Sequence, residues 1–153
     1  MLDTLDKIGA VMEHIKHVQD NCNKVGVKLI ELGETNLGRE LIKNGQIHDN
    51  SKWEGIEWEH LFGDDPLLRV AIKHHQSINP HHPEFWGGGI HDMPDIYLAE
   101  MVCDWAARSQ EFGTSLRDWV SEKSTAKYGY TMEDKVGVSI MKFLNLLCSK
   151  PFA

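Results

Sequence analysis

The chain has 153 residues, of which 41% are hydrophobic and 25% charged, and this suits a single soluble globular domain spanning 1–153 that closes its own core. Its formal charge of -7 excludes a broad nucleic-acid-binding surface, which needs clustered Lys and Arg, but leaves room for a small anion met by a few local cations. The three cysteines Cys22, Cys103 and Cys148 are odd in number and widely spaced, each within a helical apolar pattern, and read as reduced core thiols of a cytoplasmic protein.

The opening MLDTLDKIGAVMEH carries acids and no uninterrupted apolar run, so neither a secretory signal nor a membrane anchor is expected. From Asp3 to about Leu32, apolar residues recur at steps of three and four, predicting one long amphipathic helix with His14 at the edge of its apolar stripe and His17 further towards the polar side. Gly33 stops it, and Thr35 or Asn36 can cap a second helix that delivers His48-Asp49 at its end. A short helix is expected around Trp53 to Phe62, and then a turn, Gly63-Asp64-Asp65-Pro66, with an N-cap and a proline at the first helical position.

In the helix after that turn His74 and His75 both border the apolar stripe, with His75 slightly closer to its centre. In Asn79-Pro80-His81-His82-Pro83 two prolines force an irregular backbone and hold a second histidine pair close by. The glycine-rich EFWGGGIHDM lacks phosphate-cradle spacing, so His91-Asp92 reads as surface or lid. Pro94 opens a mostly apolar helix in which Asp104 sits among Val102, Cys103, Trp105 and Ala106. Burying that carboxylate requires a cation, either Arg108 four residues on or a metal. Thr114 and Thr131 can cap two further helices, and Tyr128-Gly129-Tyr130 is either a plain turn or a pocket border. No stretch alternates with period two for long enough to demand a sheet, so the expected fold is all-α, a compact helical bundle.

Two imidazoles and two carboxylates, His14, His48, Asp49 and Asp104, form a mixed nitrogen and oxygen set suited to a divalent transition metal: Mn, Fe, Co, Ni or Zn. The histidines at 74–82 offer a second site, with His75 and His82 assigned as its ligands and the choice within each pair, His74 or His75 and His81 or His82, left open by the sequence; a bridged pair of ions about 3.5 to 4 Å apart would clamp a phosphoryl oxygen.

This order of His, His-Asp and distant Asp resembles the HD superfamily of metal-dependent phosphohydrolases, and the likeness runs from His14 to Asp104. HDNSK looks like the His-Asp-x-x-Lys variant of two-metal members, which implies that Lys52 contacts substrate phosphate. More closely, HDNSKWEGIEW, HHQSINPHHPEFW and MPDIYLAEMVCDWAARS resemble a small family of bacterial and phage proteins with HD-like motifs, which brings no established activity. The chain lacks the Gly-Tyr-Pro of cyclic-dinucleotide-cleaving members, so cyclic-di-GMP is not the expected substrate.

The resemblance implies hydrolysis of a nucleotide or other small phosphate ester by metal-activated water. Asp49, Lys52 and Glu57 would be the catalytic group, with Glu57 as a supporting or proton-transfer residue, and Lys52, His74, His81 and Trp86 would contact substrate. Two other readings fit the same residues: a di-iron oxygenase of HD type, and a metal-stabilised module that binds a nucleotide or partner without turning it over. The five tryptophans could stack on a base or simply fill the core; Trp86, on an irregular segment near the histidines, is the one placed for ligand contact, and apolar stripes leave the oligomeric state open.

Overall fold

The computed structural model describes residues 3–148, and among these there are helices and turns but no strand. The all-α expectation holds. Helix α1 (Thr4–Glu31) is capped by Asp3, whose carboxylate accepts the Asp6 amide, and it buries Val11, His14, Val18, Cys22, Val25 and Leu29 along one face. That run is the three-and-four spacing of the sequence turned into a stripe.

Gly33, at φ +89°, reverses the chain into α2 (Thr35–Ile47). The two helices run antiparallel at unusually close range, because glycines face the contact. A Cβ on Gly26 would stand 2.8 Å from the Gly38 carbonyl oxygen, one on Gly38 would run into the Gly26 carbonyl, and one on Gly45 would meet Cys22. Glu34, not Thr35 or Asn36, precedes the first helical turn, and no side chain caps it.

After a 3₁₀ turn (Asn50–Trp53) come α3 (Gly55–His60) and α4 (Leu68–Ile78). Helix α4 starts later than Pro66 suggests: the Asp65 carboxylate accepts the Leu67 amide within the turn, and regular helix begins only at Leu68. The segment 79–94 contains two 3₁₀ turns (Pro83–Phe85 and Gly89–Asp92) and leads into α5 (Asp95–Phe112), which Pro94 precedes rather than opens.

Helix α5 is the central element. Its residues from Leu98 to Ala107 are buried except Trp105, which is half-buried, and it packs against α1, α2 and α8 (Lys135–Cys148). Leu98, Val102 and Cys103 join Val18, Cys22 and Leu29 of α1 and Ile140, Phe143 and Leu144 of α8 in one apolar cluster. Burial of this set is the main stabilising term of the fold.

Between α5 and α8, α6 (Leu116–Asp118), a π-helical stretch (Trp119–Ser124) and α7 (Thr125–Tyr128) follow without a break. Ser115 rather than Thr114 caps this run, accepting the Asp118 amide, and the Asp134 carboxylate accepts the Gly137 amide at the start of α8. Cys22 and Cys103 are buried free thiols, but Cys148 is exposed, because the last turn of α8 presents it away from the core. No helix among the described residues is long and apolar enough to cross a membrane.

Candidate metal centre

Five elements bring their polar residues to one place. His14 projects from the third turn of α1, and His48 and Asp49 lie just past α2. His75 comes from α4, His81 and His82 from the irregular 79–94 segment, and Glu100 and Asp104 from α5. Asp49 is the only non-glycine residue among those described with positive φ, at φ 55° and ψ 27°, in the left-handed region. An L-residue with a short polar side chain tolerates that region, and here it turns the carboxylate back into the fold.

The Asp49 carboxylate is the hub. Its Oδ1 lies 3.3 Å from His48 Nε2, 3.3 Å from His75 Nε2 and 3.2 Å from His81 Nε2. Its Oδ2 lies 3.4 Å from His14 Nε2 and 3.0 Å from Lys52 Nζ. Asp104 faces the same space, with Oδ1 3.0 Å from His14 Nε2 and Oδ2 3.5 Å from His81 Nε2. Arg108, the alternative partner for Asp104, pairs instead with Glu111.

The opposite ring nitrogens are held from outside. His14 Nδ1 meets Glu111 Oε2 at 2.8 Å, and His75 Nδ1 meets Glu57 Oε1 at 2.6 Å. His48 Nδ1 and His81 Nδ1 share Glu100 Oε2, at 2.8 and 3.0 Å. A carboxylate behind each imidazole fixes the ring and its tautomer, leaving Nε2 with a lone pair to offer, which is how proteins support metal-ligating histidines.

Those inward atoms have no hydrogen-bond partner among the described residues: Nε2 of His14, His48, His81 and His82, and both oxygens of Asp49. Asp49 Oδ2 is ion-paired with Lys52 and His14 Nε2 with Asp104, but six buried polar atoms without a hydrogen bond in one cluster are costly unless something further binds them. Two groups have donors close enough to hold an ion: Asp49, His75, His81 and His82, and, beside them, His14, His48 and Asp104. A third grouping, His48, His81 and Glu100, is occupied by its own hydrogen bonds. The buried histidine and carboxylate clusters can therefore hold a metal ion, and the mixed donor set fits a divalent transition metal.

Electrostatics supports this. Burial alone would lower the His14 pKa, but Asp104, Asp49 and Glu111 around it raise it to about 10. Burial is likewise outweighed at His81, where Asp49 and Glu100 raise the pKa to about 10, and His75 is raised by Asp49 and Glu57. His82 is pushed the other way, to about 3, by burial and by the neighbouring His81. Burial would raise the pKa of Glu100, but His48 and His81 hold it at about 2, and Asp49 and Asp104 are held well below the carboxylate range against the same burial. Protons on His14 and His81 thus fill the role of a cation among buried carboxylates.

The centre opens into a cavity of about 650 Å³, bordered by His14, Asp49, Lys52, His75, His82 and Asp104. That volume suits a small-molecule ligand. Lys52 is buried at its inner end beside Asp49.

Three residues expected to touch substrate lie elsewhere. His81 is nearly inaccessible, wedged between Glu100 and Asp49, and belongs with the donors rather than with a phosphate grip. His74 is half-exposed on the outer side of Glu57, to which its Nδ1 is bonded at 2.7 Å. Trp86 donates Nε1 to the Pro80 carbonyl and packs on Phe85 and Tyr97, away from the cavity lining. Glu57, expected near the chemistry, is fully buried and accepts from Ser51, His74 and His75, so it holds His75 rather than facing the cavity. His91-Asp92 is exposed and remote, with His91 bonded to the Gly129 carbonyl.

Glu111 carries no signal in the sequence that separates it from an ordinary helix-surface acid. Glu100 does, lying one turn before Asp104 on the same buried face.

Fold and site together define an all-helical protein built around a buried histidine and carboxylate centre. The chain belongs to a family of unknown function, DUF5662, whose profile matches residues 59–147, more than half of the chain. That span contains His75, His81, His82, Glu100, Asp104 and Glu111, whereas His14 and His48-Asp49 precede it. No curated protein and no solved structure matches the chain.

Proposed function

We propose that the protein is a metal-dependent phosphohydrolase acting on a small phosphate ester, with a nucleotide as the favoured kind of substrate. The observation that carries this reading is the Asp49 carboxylate. Its Oδ1 lies within 3.3 Å of His75 and His81 of one donor group and of His48 of the other, and its Oδ2 lies 3.4 Å from His14, so the two donor groups meet at this carboxylate.

His14, His48 and Asp104 with Asp49 would hold one ion, and His75, His81 and His82 with Asp49 the other. When bound there, divalent ions would supply Lewis acidity, lowering the pKa of water and polarising a phosphoryl oxygen. The chain's own residues do the rest. Glu57, Glu100 and Glu111 keep the imidazoles oriented and basic. Lys52, buried at the cavity's inner end, supplies a fixed positive charge for a phosphate oxygen at the cost of its pairing with Asp49. Hydrolysis joins a water oxygen to phosphorus, breaks the ester P–O bond, and transfers a proton from the water to the departing alkoxide.

The test is metal analysis of the purified protein, followed by a phosphate-release screen over nucleotides and sugar phosphates with each of Mn, Fe, Co, Ni and Zn. Phosphate release that Asp104→Ala abolishes together with bound metal is expected. Iron with oxygen consumption and no phosphate release would transfer the site to oxygenase chemistry, and stoichiometric nucleotide binding without product would make it a binding module.

A further inference from the structure

The cavity has a second wall that the metal centre does not use. Trp105, the residue after Asp104, stacks on Tyr128 with centroids 6.0 Å apart and planes 13° from parallel, and Trp119 meets Trp105 edge-on at 5.8 Å. All three line the cavity and are half-buried rather than sealed in the core. Lys127 Nζ lies 5.2 Å from the Tyr128 ring centre and 5.8 Å from that of Trp119, adding a cation to the same wall.

Two features separate this wall from ordinary packing. The Trp119 indole Nε1 is buried and has no hydrogen-bond partner among the described residues, although a buried indole N–H normally finds one. Trp119 also begins the π-helical stretch Trp119–Ser124, an uncommon local geometry that occurs frequently at functional sites. The stretch is braced: Ser124 Oγ bonds the Val120 carbonyl and the Tyr130 hydroxyl, and His91 Nε2 meets the Gly129 carbonyl at 2.9 Å just after Tyr128.

We propose that Trp105, Trp119, Tyr128 and Lys127 form a subsite for the flat heteroaromatic ring carried by the leaving alcohol, and that a small turn of Trp119 brings its N–H to an acceptor atom on that ring. Placing the ring on the leaving alcohol rests on the phosphohydrolase reading; the ring subsite itself does not. Aromatic stacking tolerates many rings, whereas a lone buried donor favours one with a carbonyl or ring nitrogen in reach. The wall adjoins the donor cluster through the Asp104-Trp105 step and shares its cavity with Lys52, so a ligand spanning the cavity would meet both.

The experiment measures binding by calorimetry with the manganese-loaded protein, using the four common ribonucleoside 5′-monophosphates and ribose 5-phosphate as probes. At least one nucleotide should bind about tenfold more tightly than ribose 5-phosphate, a difference of about 1.4 kcal/mol. Trp119→Ala should erase that advantage while leaving ribose 5-phosphate binding unchanged. Trp119→Phe, which keeps an aromatic ring and guards against misfolding, should lose only part of it. Equal affinities for all five probes in the wild type, or a nucleotide advantage that survives in Trp119→Ala, would overturn the subsite. Ring discrimination without phosphate release leaves the subsite standing and removes the hydrolase reading, and phosphate release without discrimination does the reverse.

Discussion

His48 Nε2 and Asp49 Oδ1 lie 3.3 Å apart although the two residues are neighbours in the chain. In a regular helix consecutive side chains diverge by about 100° and would not meet. Here α2 ends at Ile47 and the left-handed backbone of Asp49 folds its carboxylate back across the imidazole. Asparagine also tolerates that backbone, so Asp49→Asn separates charge from conformation. It should keep the helical circular-dichroism spectrum while losing bound metal and phosphate release. A variant that retained a full complement of metal would overturn the proposed bridging role of Asp49.

Glu100 makes the complementary prediction without touching a candidate ion. Its Oε2 receives Nδ1 of both His48 and His81, one from each donor group. Glu100→Gln removes the negative charge that keeps both imidazoles basic, and removing such outer carboxylates typically weakens metal affinity about 10- to 100-fold. Competition against a chromophoric chelator should show this loss, and Glu111→Gln should show a smaller one confined to the His14 side.

The protonation pattern gives a pH signature. His14 and His81 have folded-state pKa values of about 10 against an ordinary 6.5, so in the metal-free protein their stabilising contribution is full below about pH 6.5 and is lost as pH rises towards 10. Glu100 at about 2 and His82 at about 3 act on the acid side, contributing above their ordinary values and losing that contribution as pH falls through the folded ones. Metal requires the neutral imidazole, so binding displaces protons and strengthens across the same alkaline window. Melting curves with chelator should fall between about pH 6.5 and 9, and the increase in Tm produced by manganese should widen. A manganese-induced increase independent of pH would contradict the assignment of His14 and His81 as displaced proton carriers.

How much of this the sequence discloses follows from the range of each signal. The α1 stripe, the end of α2 and the irregular 79–83 segment are local patterns, and they put His14, His48-Asp49, His75 and His82 in place. Asp104 declared itself by the cost of burying an acid among apolar residues. His81 could not be told from His82 by sequence, since the proline-constrained backbone alone decides which ring turns inward. Trp86 and Trp119 illustrate the same limit: proximity in sequence to the histidines favoured Trp86, whereas the helix run after α5 returns Trp119, Lys127 and Tyr128 to the cavity from the far end of the chain. Glu111 becomes meaningful only when α1 and α5 lie side by side.

The glycines between α1 and α2 were equally silent as sequence, because only the helix pair reveals what they face. Gly38 lies in a buried helical position where no left-handed backbone is required, so alanine would improve local helix propensity by about 1 kcal/mol. Against that gain, its methyl would collide with the Gly26 carbonyl and the Ile30 side chain, and backbone cannot yield as a flexible side chain can. Overpacking of this kind costs about 1 to 3 kcal/mol, so Gly38→Ala should be net destabilising despite the propensity. The same separation sets how α1 presents His14 to the end of α2, where Asp49 lies. The variant should therefore lower the urea midpoint and also weaken metal binding. Gly9→Ala on the open face of α1, where a Cβ meets nothing within 4 Å, should be neutral to stabilising and leave metal binding unchanged. Equal behaviour of the two variants would show that close packing of α1 on α2 does not govern the centre.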